Sequence, residues 1–174
     1  LRQLGKNAHI LKNPEITPKY AHLHHGLTKE KAEEMDFVVS VDVASGNMLP
    51  ECFAALEDRI ALRIDHHGTA TSFTPWELVD PEAAACGEII YDVLSQMGAQ
   101  LDIPMANALY TAVSTDTGCF RYANTTAHTF FVASLCARAG APVNALNQEL
   151  FETNSLAKLR LQAWMVENLK LFGD

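Results

Sequence analysis

The sequence predicts an α/β fold: a mostly parallel β-sheet flanked by helices, with a helical C-terminal portion. Two patterns predict this class. Apolar runs rich in β-branched residues alternate with helical segments in the first half, and helical spacing dominates from Cys86 onward. The chain has 174 residues, of which 48% are hydrophobic, so its size suits one domain with a substantial core.

The first half of the chain is predicted to contain three strands. "LRQLG" is typical of the last turn of a helix that ends at Gly5. "AHILK" predicts a short strand, and the charged segment "TKEKAEE" predicts a solvated turn or short helix. "MDFVVSVDVAS" predicts a stronger strand that ends at Asp42. "LPECFAALED" predicts a short helix, and "RIALRID" a strand that ends at Asp65.

Five helices are predicted after Cys86. "CGEIIYDVLSQMG", "DIPMANALYTAVSTDTG" and "NTTAHTFFVASLCARAG" each close on a glycine, and the second begins with a capping Asp102. "PVNALNQELFET" and "SLAKLRLQAWMVENLKLF" predict two more. The apolar residues of the last helix, Leu156 to Phe172, predict a packing face for a further part of the protein or for a second subunit. A homodimer is therefore considered.

The formal net charge of −8 limits the partners of the chain. An acidic surface repels long nucleic acid such as duplex DNA and does not favour anionic membranes. A negatively charged substrate would need local positive charge from a metal or another part of the protein. No apolar run has membrane-spanning length, no signal peptide is visible, and the four cysteines form no CxxC pair. These features predict a cytoplasmic protein with reduced thiols.

Titratable residues follow two of the predicted strands. Asp42 ends one strand, and Asp65, His66 and His67 end the next. Open parallel sheets bind ligands beyond the carboxyl ends of their strands, so this placement is the first functional signal. A carboxylate after a buried strand must be paired, hydrogen-bonded or metal-bound. The alternative for Asp42 is a helix N-cap or turn former.

The histidine pair has two interpretations. Successive side chains of an extended segment point to opposite sides, so His66 and His67 are not expected to serve one atom from one direction. One would bind a metal, and the other would contact substrate or a supporting partner. The alternative is a polar turn with one buried histidine. A competing cluster, "HLHHG", has three histidines but no carboxylate close in sequence, and solvated loop histidines are commoner than metal ligands there.

Asp116 is predicted near the C-terminus of a helix. The helix dipole disfavours an anion there, and a nearby cation would remove the penalty. A metal and Arg121 are both candidates, and an exposed turn residue is the third interpretation. Together, Asp42, His66 and Asp116 offer two carboxylates and one imidazole, a hard ligand set that suits Mn²⁺ or Mg²⁺. Three ligands are few for two metal ions.

Three segments resemble a known family. "VSVDVAS", "RIDHHGT" and "STDTGCFRYANTT" are similar, in order and spacing, to the second, third and fourth motifs of the DHH phosphoesterases. The resemblance runs from about Val38 to the last helices. It is strongest to bifunctional oligoribonucleases (nanoRNases) of the RecJ-like group, which also remove the 3′-phosphate of adenosine 3′,5′-bisphosphate. "DTGxF" followed by "NTT" is a rather specific marker of that branch.

The resemblance implies a role for each motif residue. Asp42 would bridge two Mn²⁺ ions, with Mg²⁺ as the alternative metal, and His66 and Asp116 would both be ligands of one of these ions. His67 would contact the scissile phosphate or support the metal ligands, and Asp65 would orient a histidine. Thr117 and Asn124 would be supporting residues at most.

Two family features are absent from the 174 residues. The first motif, a His followed by two Asp residues, is missing, and so is a C-terminal substrate-binding domain with a glycine-rich motif. Residues 1–174 would therefore form a DHH catalytic domain that is incomplete at its N-terminus. The first metal site would lack ligands if the chain had nothing before Leu1.

The function implied is hydrolysis of a phosphoester in short RNA or a nucleotide, with two metal ions. One alternative is another hydrolase on the same scaffold: a cyclic-dinucleotide or pApA phosphodiesterase, a single-strand exonuclease, or an inorganic pyrophosphatase. A second alternative is a binding module that keeps the fold without catalysis.

Overall fold

The computed structural model describes residues 1–69 and 71–170 of the chain. The chain divides into two compact units, Leu1–Ala141 and Pro142–Asp174. The first unit contains parallel sheets and helices, and all α-helices longer than one turn in the described part follow the last strand. The predicted α/β class with a helical C-terminal portion is confirmed.

The N-terminal segment forms a small two-stranded sheet. A 3₁₀ turn at Arg2–Leu4 ends at Gly5, whose φ of 73° is left-handed, as the predicted helix end requires. Strands β1 (Ile10–Leu11) and β2 (Thr28–Lys29) pair in parallel, and the short helix α1 (Ala21–His24) lies between them in sequence. The prediction of a turn or short helix at "TKEKAEE" is wrong at its start, because backbone pairing with β1 does not depend on the charge of the side chains.

The main sheet has three parallel strands in the order β3-β4-β5. They are β3 (Val38–Val41), β4 (Ile60–Asp65) and β5 (Trp76–Val79), and β4 is central. The predicted strands around Val39 and Leu62 are thus present, whereas β5 was not predicted. The predicted helix between β3 and β4 is a 3₁₀ segment, Glu51–Arg59, preceded by a short 3₁₀ turn at Gly46–Met48.

Three helices follow the sheet: α2 (Cys86–Gln96), α3 (Ile103–Asp116) and α4 (Ala127–Arg138). As predicted, Asp102 caps α3, because its Oδ1 accepts the Met105 N–H at 2.9 Å. At the start of α4, Thr126 and Thr129 exchange side-chain to backbone hydrogen bonds.

The core lies where α2 packs against β4 and where α3 packs against α2 and α4. A buried cluster at the sheet consists of Ile64, Cys86 and Ile89. Gly87 allows the close approach of α2 to α3, since a Cβ there would lie 2.8 Å from the Ala112 Cβ. This packing fixes the C-terminal end of α3 relative to the tips of β3 and β4.

The second unit begins with α5 (Val143–Asn147), which continues into a π-helical turn, Gln148–Glu152. Helix α6 (Leu156–Glu167) follows, capped by Ser155. The predicted extension of this helix to Phe172 falls partly outside the described residues. Its apolar side chains are exposed, as the packing-face prediction requires: Leu156, Leu159, Leu161, Trp164, Met165 and Val166. None of the helices in the described ranges has both the length and the apolar character to cross a membrane.

Candidate metal and phosphate site

Asp42 lies directly beyond β3, at the carboxyl edge of the main sheet. Its N–H donates to the Ile64 carbonyl at 2.9 Å, which extends the β3–β4 pairing by one residue. Its φ of 61° is left-handed, a conformation that costs about 1–2 kcal/mol for most residues and that Asp tolerates better than most. The next helical turn begins only at Gly46, so Asp42 is not its N-cap. The side chain is about half exposed.

His66 and His67 both face Asp42. The Asp42 Oδ1 lies 3.5 Å from the Nε2 of His66 and 4.0 Å from the Nδ1 of His67. The two ring centroids are 4.6 Å apart. The expectation that successive side chains point to opposite sides is therefore wrong here, because strand geometry ends at Asp65 and no longer governs the next two residues.

Asp65 is fully buried beneath the two histidines. Its Oδ1 accepts the backbone N–H of His66 at 2.8 Å and a hydrogen bond from the Nδ1 of His67 at 2.7 Å. Burial raises the pKa of Asp65, but the hydrogen bonds from His67 and His66 outweigh it, so the net pKa is lowered. The same bond raises the pKa of His67. Asp65 thus stays ionised and orients the His67 ring.

The orientation of His66 is fixed by a backbone carbonyl. Its Nδ1 lies 3.1 Å from the Ala83 oxygen, in the loop between β5 and α2. A carbonyl only accepts, so Nδ1 carries the hydrogen in this bond. The neutral ring then has an unprotonated Nε2. That nitrogen lies 3.5 Å from Asp42 and 3.7 Å from the Oδ2 of Asp116.

Asp116, the last residue of α3, completes the group. Burial and the charge of Asp42 raise the pKa of this carboxyl above its ordinary value. The negative end of the helix dipole acts in the same direction. The alternative cation, Arg121, donates its Nε–H to the Gly118 carbonyl at 2.6 Å, and among the described residues the ion pair of Asp116 is with His66.

A left-handed turn follows Asp116 and was not predicted. Gly118, Cys119 and Phe120 have φ values of 55°, 58° and 62°. The Thr117 hydroxyl donates to the Val113 carbonyl and accepts the Phe120 N–H. A Cβ on Gly118 would lie 2.3 Å from the Tyr122 ring, so a side chain there would have to displace that ring and adopt a left-handed backbone, both of which glycine avoids.

Asn124 links Asp116 to the loop that holds His66. Its Nδ2 donates to the Asp116 carbonyl at 3.2 Å and to the Ala84 carbonyl at 3.1 Å. The amide therefore connects the end of α3 with the segment before α2. The "NTT" motif gave a sequence signal for this residue, although not for its contacts.

The arrangement fits a divalent cation. Asp42, His66 and His67 each have a nitrogen or oxygen atom that could bind a metal, and these atoms all lie within 4.8 Å of one another, although the Nδ1 of His67 is occupied by Asp65. Asp116 lies outside this group of three, but its Oδ2 is 3.7 Å from the same Nε2 of His66 and adds a second carboxylate. Burial, and after it the charge of Asp42, raise the pKa of Asp116, and a cation near both carboxylates would offset their negative charge. Histidines 22, 24 and 25 form no such group in the described part of the chain.

A buried arginine beneath the site was also not predicted. Arg63 is 2% exposed, and its guanidinium donates to the Ala44 carbonyl at 2.8 Å and pairs with Glu77 at 3.0 Å. It lies 3.8 Å from the Oδ2 of Asp65 and 5.4 Å from the centre of the Phe73 ring. Inside an apolar strand pattern, an arginine gives no sign of whether it is solvated or buried.

Curated relatives match most of this chain. A bifunctional oligoribonuclease and PAP phosphatase NrnA from Thermus thermophilus is 29% identical over 154 residues, which cover 86% of this chain and 46% of that protein. A protein of the same name from Mycoplasma pneumoniae is 32% identical over 117 residues, or 67% of this chain and 36% of that protein. The chain is a relative of the DHH phosphoesterases. The resemblance to their bifunctional branch is confirmed.

The chain is also similar to a solved structure. The crystal structure of an exopolyphosphatase-related protein from Bacteroides fragilis matches 80% of this chain and 42% of that chain, with a TM-score of 0.71 and 23% identity. This likeness shows that the fold is shared with a solved structure. No protein-family model matches the chain. The chain spans about half or less of the length of the curated DHH relatives above.

Proposed function

We propose that the chain forms part of a metal-dependent phosphoesterase that hydrolyses short oligoribonucleotides, the 3′-phosphate of adenosine 3′,5′-bisphosphate, or both. The observation that carries the proposal is the convergence of Asp42, His66 and Asp116 from three separate segments, with His67 beside them. The printed names of the curated relatives supply the substrate class.

The proposed metal is Mn²⁺, as a pair of ions, with Mg²⁺ as the alternative. Asp42 is the candidate for a ligand shared by both ions, and His66 and Asp116 are candidates for ligands of one of them. When bound, the ions would lower the pKa of a water molecule and offset negative charge on the phosphate.

His67 is the proposed phosphate contact. Its Nδ1 is occupied by Asp65, and the raised pKa of the ring favours the imidazolium form, whose Nε2–H can donate to a phosphate oxygen. Asp65 holds the ring in place and stays buried and ionised, so His67 offers positive charge in an acidic protein.

Metal binding tests the site directly. We expect titration of Mn²⁺ into the metal-free protein that carries this chain to raise its unfolding temperature, because a ligand at about 100 times its Kd adds roughly 2.7 kcal/mol of stability. Asp42→Ala should abolish the rise, and Asp92→Ala should not. Asp92 is a matched control because it is a half-exposed carboxylate that also pairs with a histidine. An equal rise in both variants would remove Asp42 from the proposed site.

Turnover separates the candidate substrates. Short RNA, adenosine 3′,5′-bisphosphate, cyclic di-AMP and pyrophosphate are compared after removal of metals and addition of Mn²⁺. We expect hydrolysis of the first two, with a loss of rate in His67→Ala and none in His128→Ala, a second half-exposed histidine paired with an aspartate. Hydrolysis of cyclic di-AMP or pyrophosphate alone would favour the other hydrolases. A metal-binding protein with no turnover would favour a binding module.

A further inference from the structure

One buried acid has no role in the proposed reaction. Glu88, in the first turn of α2, is 2% exposed. Its Oε1 accepts the Thr129 hydroxyl at 2.5 Å, and its Oε2 accepts the Ala84 N–H at 3.3 Å. A buried carboxylate is costly unless it is hydrogen-bonded, and here both oxygens have a donor. Glu88 therefore joins the start of α4 to the loop before α2.

The loop before α2 makes hydrogen bonds to His66 and Asn124. The Ala83 carbonyl receives the Nδ1–H of His66, and the Ala84 carbonyl receives the Asn124 amide. The N–H of Ala84 is bound by Glu88, one residue from the carbonyl that sets the His66 ring. The loop thus has a hydrogen bond on each side of the peptide unit that contacts His66.

A neutral His66 ring can carry its hydrogen on either nitrogen. Two carboxylates, Asp42 and Asp116, lie 3.5 and 3.7 Å from its Nε2. A hydrogen on Nε2 would be directed at these carboxylates and would occupy the place where a cation would bind. The Ala83 carbonyl opposes this, because it accepts only from a protonated Nδ1. The position of that carbonyl therefore decides which nitrogen is free.

We propose that Glu88 is a positioning residue that fixes the tautomer of His66: by holding the Ala83–Ala84 segment against Thr129, it keeps the hydrogen on Nδ1 and leaves Nε2 free for a metal ion. The inference rests on the proposed function for its purpose. The tautomer does not depend on that function, since it exists without metal or substrate.

The test is nitrogen NMR of the His66 ring in the metal-free protein, at about pH 8, where an ordinary histidine is neutral. In the wild type we expect a protonated Nδ1 and an unprotonated Nε2. In Glu88→Ala we expect the ratio of the two tautomers to move toward protonated Nε2 by about tenfold or more, the effect that loss of a charge-assisted hydrogen bond has on an equilibrium.

A second pair of variants keeps the test decisive if Glu88→Ala does not fold. Thr129→Val removes the hydroxyl that Glu88 accepts and should move the tautomer ratio in the same direction. Thr129→Ser retains the hydroxyl and should give the wild-type ratio. A wild-type ratio in both Glu88→Ala and Thr129→Val would overturn the proposal.

Loss of stability alone is controlled by Ile60→Ala. Ile60 is buried at the opposite end of β4 from His66, so its truncation should lower the unfolding temperature without changing the tautomer. A changed tautomer in this variant would show that general loosening, and not Glu88, sets the ring. If the wild-type protein hydrolyses no substrate, the proposed function fails, whereas the tautomer measurement still decides the role of Glu88.

Discussion

The two layers of charge at the carboxyl edge of the main sheet differ in how they are neutralised. In the buried layer, Arg63 lies between the carboxylates of Asp65 and Glu77. In the outer layer, Asp42 and Asp116 face each other across His66, and within the described residues their ion pairs are with histidines. The outer layer therefore holds unbalanced negative charge at neutral pH.

The buried layer therefore contributes to stability, whereas the outer layer is suited to binding. Buried charges must be paired, because an unpaired one costs several kcal/mol. Partly exposed acids are screened by water, so their repulsion is tolerable, and it adds to burial in raising the pKa of Asp116. We therefore expect substitutions in the buried layer to have large effects on stability, and substitutions in the outer layer to affect mainly binding.

The largest effect is expected from Arg63→Met, which would remove the guanidinium from beside Asp65 and Glu77. Loss of one partner of a buried pair costs about 3–5 kcal/mol, which we expect in urea unfolding. The matched control is Arg59→Met, because Arg59 is exposed and its change should stay within about 0.5–1 kcal/mol. Equal losses in the two variants would contradict the assignment of Arg63 to a buried charge network.

The next effect belongs to the outer layer. Asp116→Asn keeps the size of the side chain but removes a ligand charge, so we expect Mn²⁺ affinity to fall by about 100-fold or more while the fold stays intact. Calorimetric titration measures it, and Asp92→Asn serves as the control with unchanged affinity. Unimpaired binding by Asp116→Asn would separate the end of α3 from the metal site.

A smaller effect is expected from pH. The pKa of His67 is raised, so its pair with Asp65 stabilises the fold fully below the ordinary histidine value of 6.5 and is lost as the pH rises through the folded pKa. Because His67 is partly exposed, we expect a loss of about 1 kcal/mol or less between pH 6 and 8 in the metal-free protein. His67→Gln should flatten this slope, and an unchanged slope would contradict the pairing.

The smallest effect tests repulsion inside the outer layer. Asp42→Asn removes one charge and keeps a residue type that tolerates left-handed backbone, so the metal-free protein should gain about 0.5 kcal/mol. The pKa of Asp116, followed by carboxyl NMR, should fall toward its ordinary value. A pKa that does not move would show that burial alone raises it.

The sequence predicted the elements that have regular apolar patterns, namely β3, β4 and the helices after Cys86. It did not predict β5, because four residues after a proline carry too little periodicity. It also did not predict β2, where the charged side chains of "TKEKAEE" obscure a parallel pairing with Ile10 and Leu11. Backbone pairing between distant short segments has no local signature.

The residues of the candidate site were predicted better than the buried charged residues around them. Asp42, His66 and Asp116 stood out because acids and histidines end apolar segments, and the structure brings them together. Arg63 and Glu88 were not predicted. Each is a charged residue inside an otherwise apolar element, and its burial depends on partners such as Glu77 and Thr129 that only the fold supplies. The shared direction of His66 and His67 was missed because the strand ends at Asp65, so the alternation of side chains stops there.

The distance along the chain between positions 42, 66 and 116 has a kinetic consequence. The three side chains can meet only after β3 has paired with β4 and α3 has packed beside them, so no early, locally formed intermediate can hold the complete group. Binding of a divalent ion during refolding would then report the point at which α3 has packed beside the paired strands. The time course of metal binding would therefore follow the folding of the first unit.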